Sequence, residues 1–426
     1  MGSIPTVAST PAYAQAAVPL SNPVAALSTD DLTERAQNVL PGGNTHAARA
    51  YSPAVYVERA QGSRKWLIDG RELVDYTMGH GALLLGHAHP AVVQAVQEQV
   101  ARGTHYGASH PLEVEWAETI RSLVPSAEQL RFTASGTEGT MLALRLARAA
   151  TGRPFVVKLR EHFHGWADVV SVDVDDAGAP VASPGVPREL SQATRVVSVD
   201  ADPIRAALRN GDVAALILEP SGAHYGGQPL PEGLVQKIRT ACTETGTLLI
   251  LDEVVTGFRV HPGGMQAVLR VTPDISIFGK VMAGGLPAGA VGGKRELMQL
   301  LAGRIMHPGT FNANPLSAAA GITTLRLVAD GTPQRTASGY ATRLEQAWRS
   351  VLRRTGVEGR VWRLASIIHV ELDDPSQQAA FSRLLREEGI DLLRTSAFCS
   401  AVHSERDLDI SVAAFERAAA RVRRAG

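Results

Sequence analysis

Two residues in this chain stand where catalysis through a carbonyl cofactor would need them. The apolar run Leu248–Leu251 ends in the carboxylates Asp252 and Glu253, and a second run, Ile275–Phe278, ends in Gly279-Lys280. Both runs are continuously apolar rather than alternating, so they read as strands buried on both faces of a parallel sheet. Ligands of such sheets bind beyond the carboxyl ends of the strands, which is where Asp252 and Lys280 fall. A lysine amine there can form a Schiff base with an aldehyde, and an aspartate can pair with a protonated pyridine nitrogen. Those are the two protein groups that pyridoxal phosphate (PLP) chemistry requires.

Two further segments carry compatible chemistry. Ser135-Gly136-Thr137-Glu138 follows the apolar run Leu130–Thr133 and opens a helical run, Thr140–Ala150. Free backbone N–H groups, the positive end of the helix dipole and two hydroxyls make such a turn a phosphate site. The same four residues also form an ordinary helix cap. Phe163-His164-Gly165 follows the run Phe155–Lys158, and an aromatic at a strand end can stack on a flat heterocycle. Singly, Phe163 reads as core, His164 as a surface residue, Asp252 as a helix cap and Lys280 as a surface lysine. Their order on one α/β pattern is what gives them weight together, with Ala283-Gly284-Gly285 leaving space beside the lysine.

The elements that must position these residues alternate. From Leu112 onward, helical stretches separate short apolar strands at Leu130–Thr133, Phe155–Lys158, Ala214–Leu218, Leu248–Leu251 and Ile275–Phe278, an α/β pattern with helical crossovers. Earlier, Ser28–Val39 reads as a capped helix. Short strands are expected at Val55–Val57 and Lys65–Asp69, and Pro90–Ala101 reads as an amphipathic helix. After about Ala329 helices dominate, with strands at Ile367–Leu372 and near Phe398. The expected organisation is a disordered leader (residues 1–25), an N-terminal part of a small lobe (26–77), a large cofactor-binding domain (78–328) and a C-terminal small lobe (329–426).

Composition narrows the function classes. The 426 residues are 45% hydrophobic and 20% charged, with 42 basic and 42 acidic side chains. That is an ordinary globular balance, with no net field to attract nucleic acid or an anionic membrane. The two cysteines, Cys242 and Cys399, form neither a metal-spacing motif nor a disulfide framework, so no metal is expected and a reducing, cytoplasmic setting fits. No apolar stretch reaches the length of a membrane span. The start MGSIPT matches a loose myristoylation pattern, but the Ala/Pro/Ser/Thr-rich leader reads as unstructured.

Taken together, SGTE, FHG, DEV-TGFR, GK--AGGLP-GA-GG and HPGTFNANP resemble the class III aminotransferases, PLP enzymes of fold type I. The likeness runs from about Ala36 to His403. It implies a large domain with a mainly parallel sheet and helices on both faces, plus a smaller α+β lobe built from both termini. It also implies that Lys280 carries the cofactor and shuttles the proton, that Asp252 binds the pyridinium nitrogen, and that Phe163 and Val254 pack on the two ring faces. Ser135, Gly136 and Thr137 would hold the phosphate, with Thr310 reaching the phosphate of a neighbouring subunit in a homodimer. Glu219 would lie near the cofactor edge, and His164 would be a further cofactor-binding residue.

Within the family, Arg49 aligns with an arginine that meets the substrate carboxylate in glutamate-1-semialdehyde aminomutases. Two aminomutase features are altered, however. Gly79-His80-Gly81 replaces a Ser-Trp-Gly segment, and the gating loop is shortened to about Val172–Val186. The segments GHGAL, YGASHPLEVEWAE, HGW, EPSGAHYG, GMQA and HPGTF resemble D-phenylglycine aminotransferases instead. That likeness implies amino transfer between a D-arylglycine and a keto acid such as 2-oxoglutarate, with His80, His224 and Tyr225 lining the substrate side. Lys280 and Asp252 do not separate an aminotransferase from an aminomutase, racemase or decarboxylase, since all begin from the same Schiff base.

Overall fold

The computed structural model describes residues 28–175 and 177–425; the leader expected at residues 1–25 and its myristoylation pattern lie outside them. The chain divides into two compact units, one comprising residues up to Arg59 together with Trp66–Arg71, the other comprising Ala60–Lys65 and everything from Glu72 onward. In the first unit, helix Thr29–Val39 is capped by Ser28, whose hydroxyl accepts from Asp31 N–H while the Asp31 carboxylate accepts from Ser28 N–H. This reciprocal pair is a capping box. Pro41–Gly43 and Ala47–Arg49 are single 3-10 turns, and the Arg59 guanidinium lies 3.7 Å over the Trp66 ring.

The second unit is organised by a seven-stranded sheet. Its strands are β1 (Gln129–Thr133), β2 (Phe155–Leu159), β3 (Thr194–Val197), β4 (Val213–Leu218), β5 (Leu248–Asp252), β6 (Ile275–Gly279) and β7 (Gly289–Gly293), in the spatial order β1-β7-β6-β5-β4-β2-β3. Only β7 runs antiparallel, pairing with β6 on one side and β1 on the other. Every residue of β4, β6 and β7 is buried, as expected for a sheet covered on both faces. Side chains such as Leu142, Ala143 and Leu146 from helix Gly136–Thr151 pack on one face against Ile217, Ile250 and Ile277. Leu234, Val235 and Ile238 from helix Leu234–Thr245 pack on the other, against Leu216, Leu218 and Leu251.

A smaller antiparallel sheet joins β8 (Gly359–Leu364), β9 (Ile367–Leu372) and β10 (Ser396–Phe398). Helices Thr332–Thr355, Pro375–Glu387 and Glu405–Ala425 cover it around Trp348, Phe381 and Phe415. Strand Glu72–Asp75 reaches this region from the N-terminal side and pairs in parallel with Ile390–Asp391. The segment read as strand from Lys65 to Asp69 begins one residue earlier and ends at Leu67, and Val57–Gln61 replaces Val55–Val57.

Candidate active site

Because β1, β2, β4, β5 and β6 all point the same way, their carboxyl ends open on one edge of the sheet. The register fixes the alignment: Asp252 stands beside Ile277, Leu251 beside Leu218, and Ile217 beside Lys158. The loops leaving these strands therefore bring together the Ser135 turn, the Phe163–Gly165 segment, Glu219, Asp252 and Lys280.

Lys280 opens a 3-10 turn directly after β6 with φ 50°. A non-glycine residue in that left-handed region carries strain of about 1–3 kcal/mol, which structures retain chiefly at functional sites. Burial pushes the Lys280 amine below its ordinary range, against the pull of Asp252 and Glu219, with Arg259 adding to the depression. A depressed amine is a better nucleophile near neutral pH. The Asp252 carboxylate is nearly buried; Oδ1 accepts from Val254 N–H at 3.1 Å and Oδ2 lies 2.8 Å from His164 Nδ1. Glu219 accepts from the backbone N–H groups of Phe163 at 2.9 Å and Tyr225 at 3.3 Å. Burial pushes its carboxyl up to about 8, with the charge of Asp252 contributing. Glu219 is therefore protonated at neutral pH.

Ser135 caps helix Gly136–Thr151, its hydroxyl accepting from Glu138 N–H at 3.2 Å, while Glu138 accepts from Ala134 N–H at 2.9 Å. The turn is held on two sides by glycines that allow a close approach. A Cβ on Gly165 (φ 94°) would overlap the Thr137 hydroxyl and sit 2.9 Å from Thr137 Cβ. One on Gly289, at the start of β7, would run into Ser135 O and come within 2.5 Å of Thr133 Oγ1. Val254 lies against this turn, its Cγ2 2.9 Å from where a Gly136 side chain would begin, and it also borders Gly279, the residue before Lys280. Phe163 is 60% exposed, so its ring is open to a flat ligand. The donor set (an amine of depressed basicity, a carboxylate and a hydroxyl-bearing helix N-terminus) and the glycine-lined cradle around it fit PLP, with Lys280, Asp252 and Ser135–Thr137 as the groups that would hold it.

Comparison with known proteins shows the family. The family model described as "Aminotransferase class-III" matches residues 46–403. The chain belongs to the class III aminotransferases. A protein of Chloroflexus aggregans named glutamate-1-semialdehyde 2,1-aminomutase is 39% identical over 422 residues, spanning 91% of this chain and 96% of that protein. Among solved structures, an omega-transaminase from Sphaerobacter thermophilus superposes with TM-score 0.88 at 32% identity, covering 93% of this chain and 98% of that one. A structure described as a transaminase with PLP bound gives TM-score 0.89, also at 32% identity, covering 94% and 100%. The chain is accordingly a PLP-dependent enzyme of fold type I. Among the described residues, no helix is long and apolar enough to cross a membrane.

The remaining candidate residues of this aminotransferase fall in different places. His80 sits in a left-handed turn, Met78–Gly81, in which all four residues have positive φ. The turn is clamped from both ends. Asp75 accepts from Thr77 N–H at 2.9 Å and Met78 N–H at 3.2 Å, and the fully buried Arg259 donates from Nε to Gly81 O at 2.9 Å. His224 and Tyr225 occupy a second left-handed turn, φ 54° and 65°, tied down by Trp362 Nε1–H to Gly226 O at 3.0 Å. The two turns meet on Phe398. Its ring lies 5.6 Å from that of Tyr225, and a Cβ on Gly81 would touch it at 2.8 Å. Thr310 is exposed, its carbonyl 2.6 Å from His105 Nε2. Arg49 lies in the first unit, exposed, with Nη1 3.3 Å from Thr45 Oγ1. His164, expected to bind the cofactor, is 2% exposed, with Nδ1 2.8 Å from the Asp252 carboxylate. Sequence reasoning missed Asp75 and Arg259, since neither belongs to a motif that reports on the turn it clamps.

Proposed function

We propose that this enzyme moves an amino group between a carboxylate-bearing amino acid and a separate keto acid such as 2-oxoglutarate, with D-arylglycines as the donor class. The observation that carries this reading is the convergence of the His80 and Tyr225 turns on Phe398. Tyr225, half-buried and backed by the buried ring of Phe398, would offer an aryl group edge and offset-stacked contacts on the substrate side. PLP, when bound, supplies an electron sink for the charge left at the substrate Cα. The residues do the rest. Lys280 takes and returns the Cα proton, Asp252 keeps the pyridine nitrogen charged, Phe163 and Val254 confine the ring, and Ser135–Thr137 anchor the phosphate. Arg49 is the proposed partner of the substrate carboxylate, a bidentate task suited to a guanidinium. A homodimer in which Thr310 reaches the neighbouring cofactor is supported by the exposure of that loop, where Met306 and Phe311 are 79% and 62% exposed. The two buried, unpaired cysteines support a cytoplasmic setting.

A second reading is the internal amino exchange of a glutamate-1-semialdehyde aminomutase. The 39% identity to a protein of that name favours it, and on identity alone it is the better supported of the two. One assay separates them. The holoenzyme is incubated with amino donors of both hands, with and without 2-oxoglutarate, and glutamate is measured against donor loss. Stoichiometric glutamate formation that requires the keto acid supports transfer between two substrates. Amino-group migration within glutamate-1-semialdehyde with no keto acid present refutes it and establishes the exchange.

A further inference from the structure

Behind Asp252 lie two histidines whose hydrogen-bonding needs are complementary and unmet. His164 donates from Nδ1 to the Asp252 carboxylate at 2.8 Å, because an ionised carboxylate can only accept. That leaves the lone pair of His164 on Nε2, which is buried and has no partner. Two residues earlier, His162 Nδ1 accepts from the backbone N–H of Glu219 at 2.9 Å. The proton of neutral His162 must then sit on Nε2, also buried and without a partner. Burial above all pushes His162 down to about 2, so it stays neutral at working pH. The rings are 1% and 2% exposed, and their centres are 6.1 Å apart. One orphan is therefore a donor and the other an acceptor. Left unpaired in a buried site, each forfeits the hydrogen bond that water would supply. A single buried water accepting from His162 and donating to His164 satisfies both, and buried waters characteristically bridge such groups.

We propose that His162 is a positioning residue: through a bridging water its Nε2–H fixes His164 as the Nδ1–H tautomer, and so keeps Asp252 a charged acceptor for the cofactor's pyridine nitrogen. The tautomer chain starts at the Glu219 backbone, runs through both histidines and ends at Asp252. Without the His162 donor, His164 Nε2 is free to bind a proton. The resulting imidazolium would neutralise Asp252 and weaken its hold on the ring nitrogen. The consequence for the cofactor rests on the role proposed above for Asp252, whereas the tautomer assignment does not.

Two variants separate positioning from mere packing. In His162→Asn the amide oxygen takes the place of Nδ1, so the bond from Glu219 N–H is kept and the donor is lost. In His162→Gln the amide nitrogen stands near Nε2, so the donor is kept. On the cofactor-free protein, nitrogen-15 NMR of labelled histidine should show His162 as the Nε2–H and His164 as the Nδ1–H tautomer. In His162→Asn, His164 should carry protons on both nitrogens at a pH where the wild type carries one, and in His162→Gln it should again carry one. On the holoenzyme, a nitrogen-15 label in the pyridine ring should report loss of the protonated-nitrogen signal in His162→Asn and its return in His162→Gln. The amino half-reaction should slow about 10- to 100-fold, the usual effect of losing a partner that orients a ligand. A wild-type His164 with its proton on Nε2 overturns the inference, as does an unaltered ring signal in His162→Asn when Asp252→Asn changes it. If Asp252→Asn itself leaves the ring signal unchanged, the role of Asp252 fails, and with it the consequence drawn for His162; the tautomer measurement still judges the relay.

Discussion

Replacing Gly165 by alanine tests whether the Ser135 turn is a phosphate cradle or only a helix cap. Gly165 has φ 94°, and an added Cβ would overlap Thr137 Oγ1 while lying 2.9 Å from its Cβ and 3.0 Å from its Cα. An L-residue in the left-handed region costs about 1–2 kcal/mol, and forcing a carbon into a filled space costs about 1–3 kcal/mol more. In the cofactor-free protein, Thr137 can swing away and relieve part of the overlap. Binding the phosphate requires Thr137 to return, so that part reappears as lost affinity. With about 1.4 kcal/mol per tenfold, a penalty of 1–3 kcal/mol predicts PLP dissociation weakened about 5- to 150-fold. Equilibrium dialysis or fluorescence titration of the cofactor-free enzyme measures it. Gly211→Ala is the control. It has φ 67° with nothing within 4 Å of the added carbon, so it pays the backbone cost alone and should bind PLP as the wild type does. If Gly165→Ala matches that control, the reasoning fails, and Thr137 does not contact the phosphate.

Lys280→Ala should still bind PLP but lose the covalent link, and turnover should fall by at least about 100-fold, the lower bound for losing a positioned proton carrier. Borohydride reduction of the wild type followed by peptide mapping should label Lys280; a label on Lys294 defeats the assignment. Asp252→Asn should slow Cα deprotonation about 100- to 1000-fold, in the range for removing one preorganised electrostatic partner, while PLP remains bound; a near wild-type half-reaction reduces Asp252 to a cap. The cofactor-free protein should also be acid-sensitive. Burial pushes His162 down to about 2 and His369 and His403 to about 4, against about 6.5 in the unfolded chain. The stability from these three neutral rings is complete above pH 6.5 and is lost as pH falls towards their folded values. The slope reaches about 1.4 kcal/mol per pH unit for each ring. Glu219, raised to about 8, and Glu253, also pushed up by burial, have the opposite slope but are two groups against three. Urea midpoints should therefore drop between pH 7.5 and pH 5, and equal midpoints would refute the balance.

What the sequence disclosed follows from what its local patterns encode. The buried strands β4, β5 and β6 are legible because continuous apolar runs have few other uses. The residues that end β5 and β6 are then placed by topology, which is why Asp252 and Lys280 stood out. Strand β7 was not legible: Gly-Ala-Val-Gly-Gly has weak strand propensity, and its glycines matter only because Ser135 O and Thr133 Oγ1 press on Gly289 from a segment more than 150 residues away. The left-handed turns at His80 and Tyr225 were hidden for a related reason. Their non-glycine residues contradict local preference, and only long-range clamps such as Arg259 hold them.

The segment His162–Gly165 is the instructive case. Read as a motif, FHG drew attention to Phe163 for stacking and to His164 as a cofactor-binding residue. Read by alternation, His162 and His164 fall on one side of an extended segment and Phe163 on the other. The structure shows that alternation, with exposures of 1%, 60% and 2% for the three residues. The period-two signal was present in the sequence, and it separates the exposed Phe163 ring from the two buried imidazoles. A histidine turned inward beside a carboxylate supports that carboxylate, and the Asp252–His164 contact at 2.8 Å is that support. The same logic makes the inward-facing His162 part of the apparatus around Asp252, although no motif contains it.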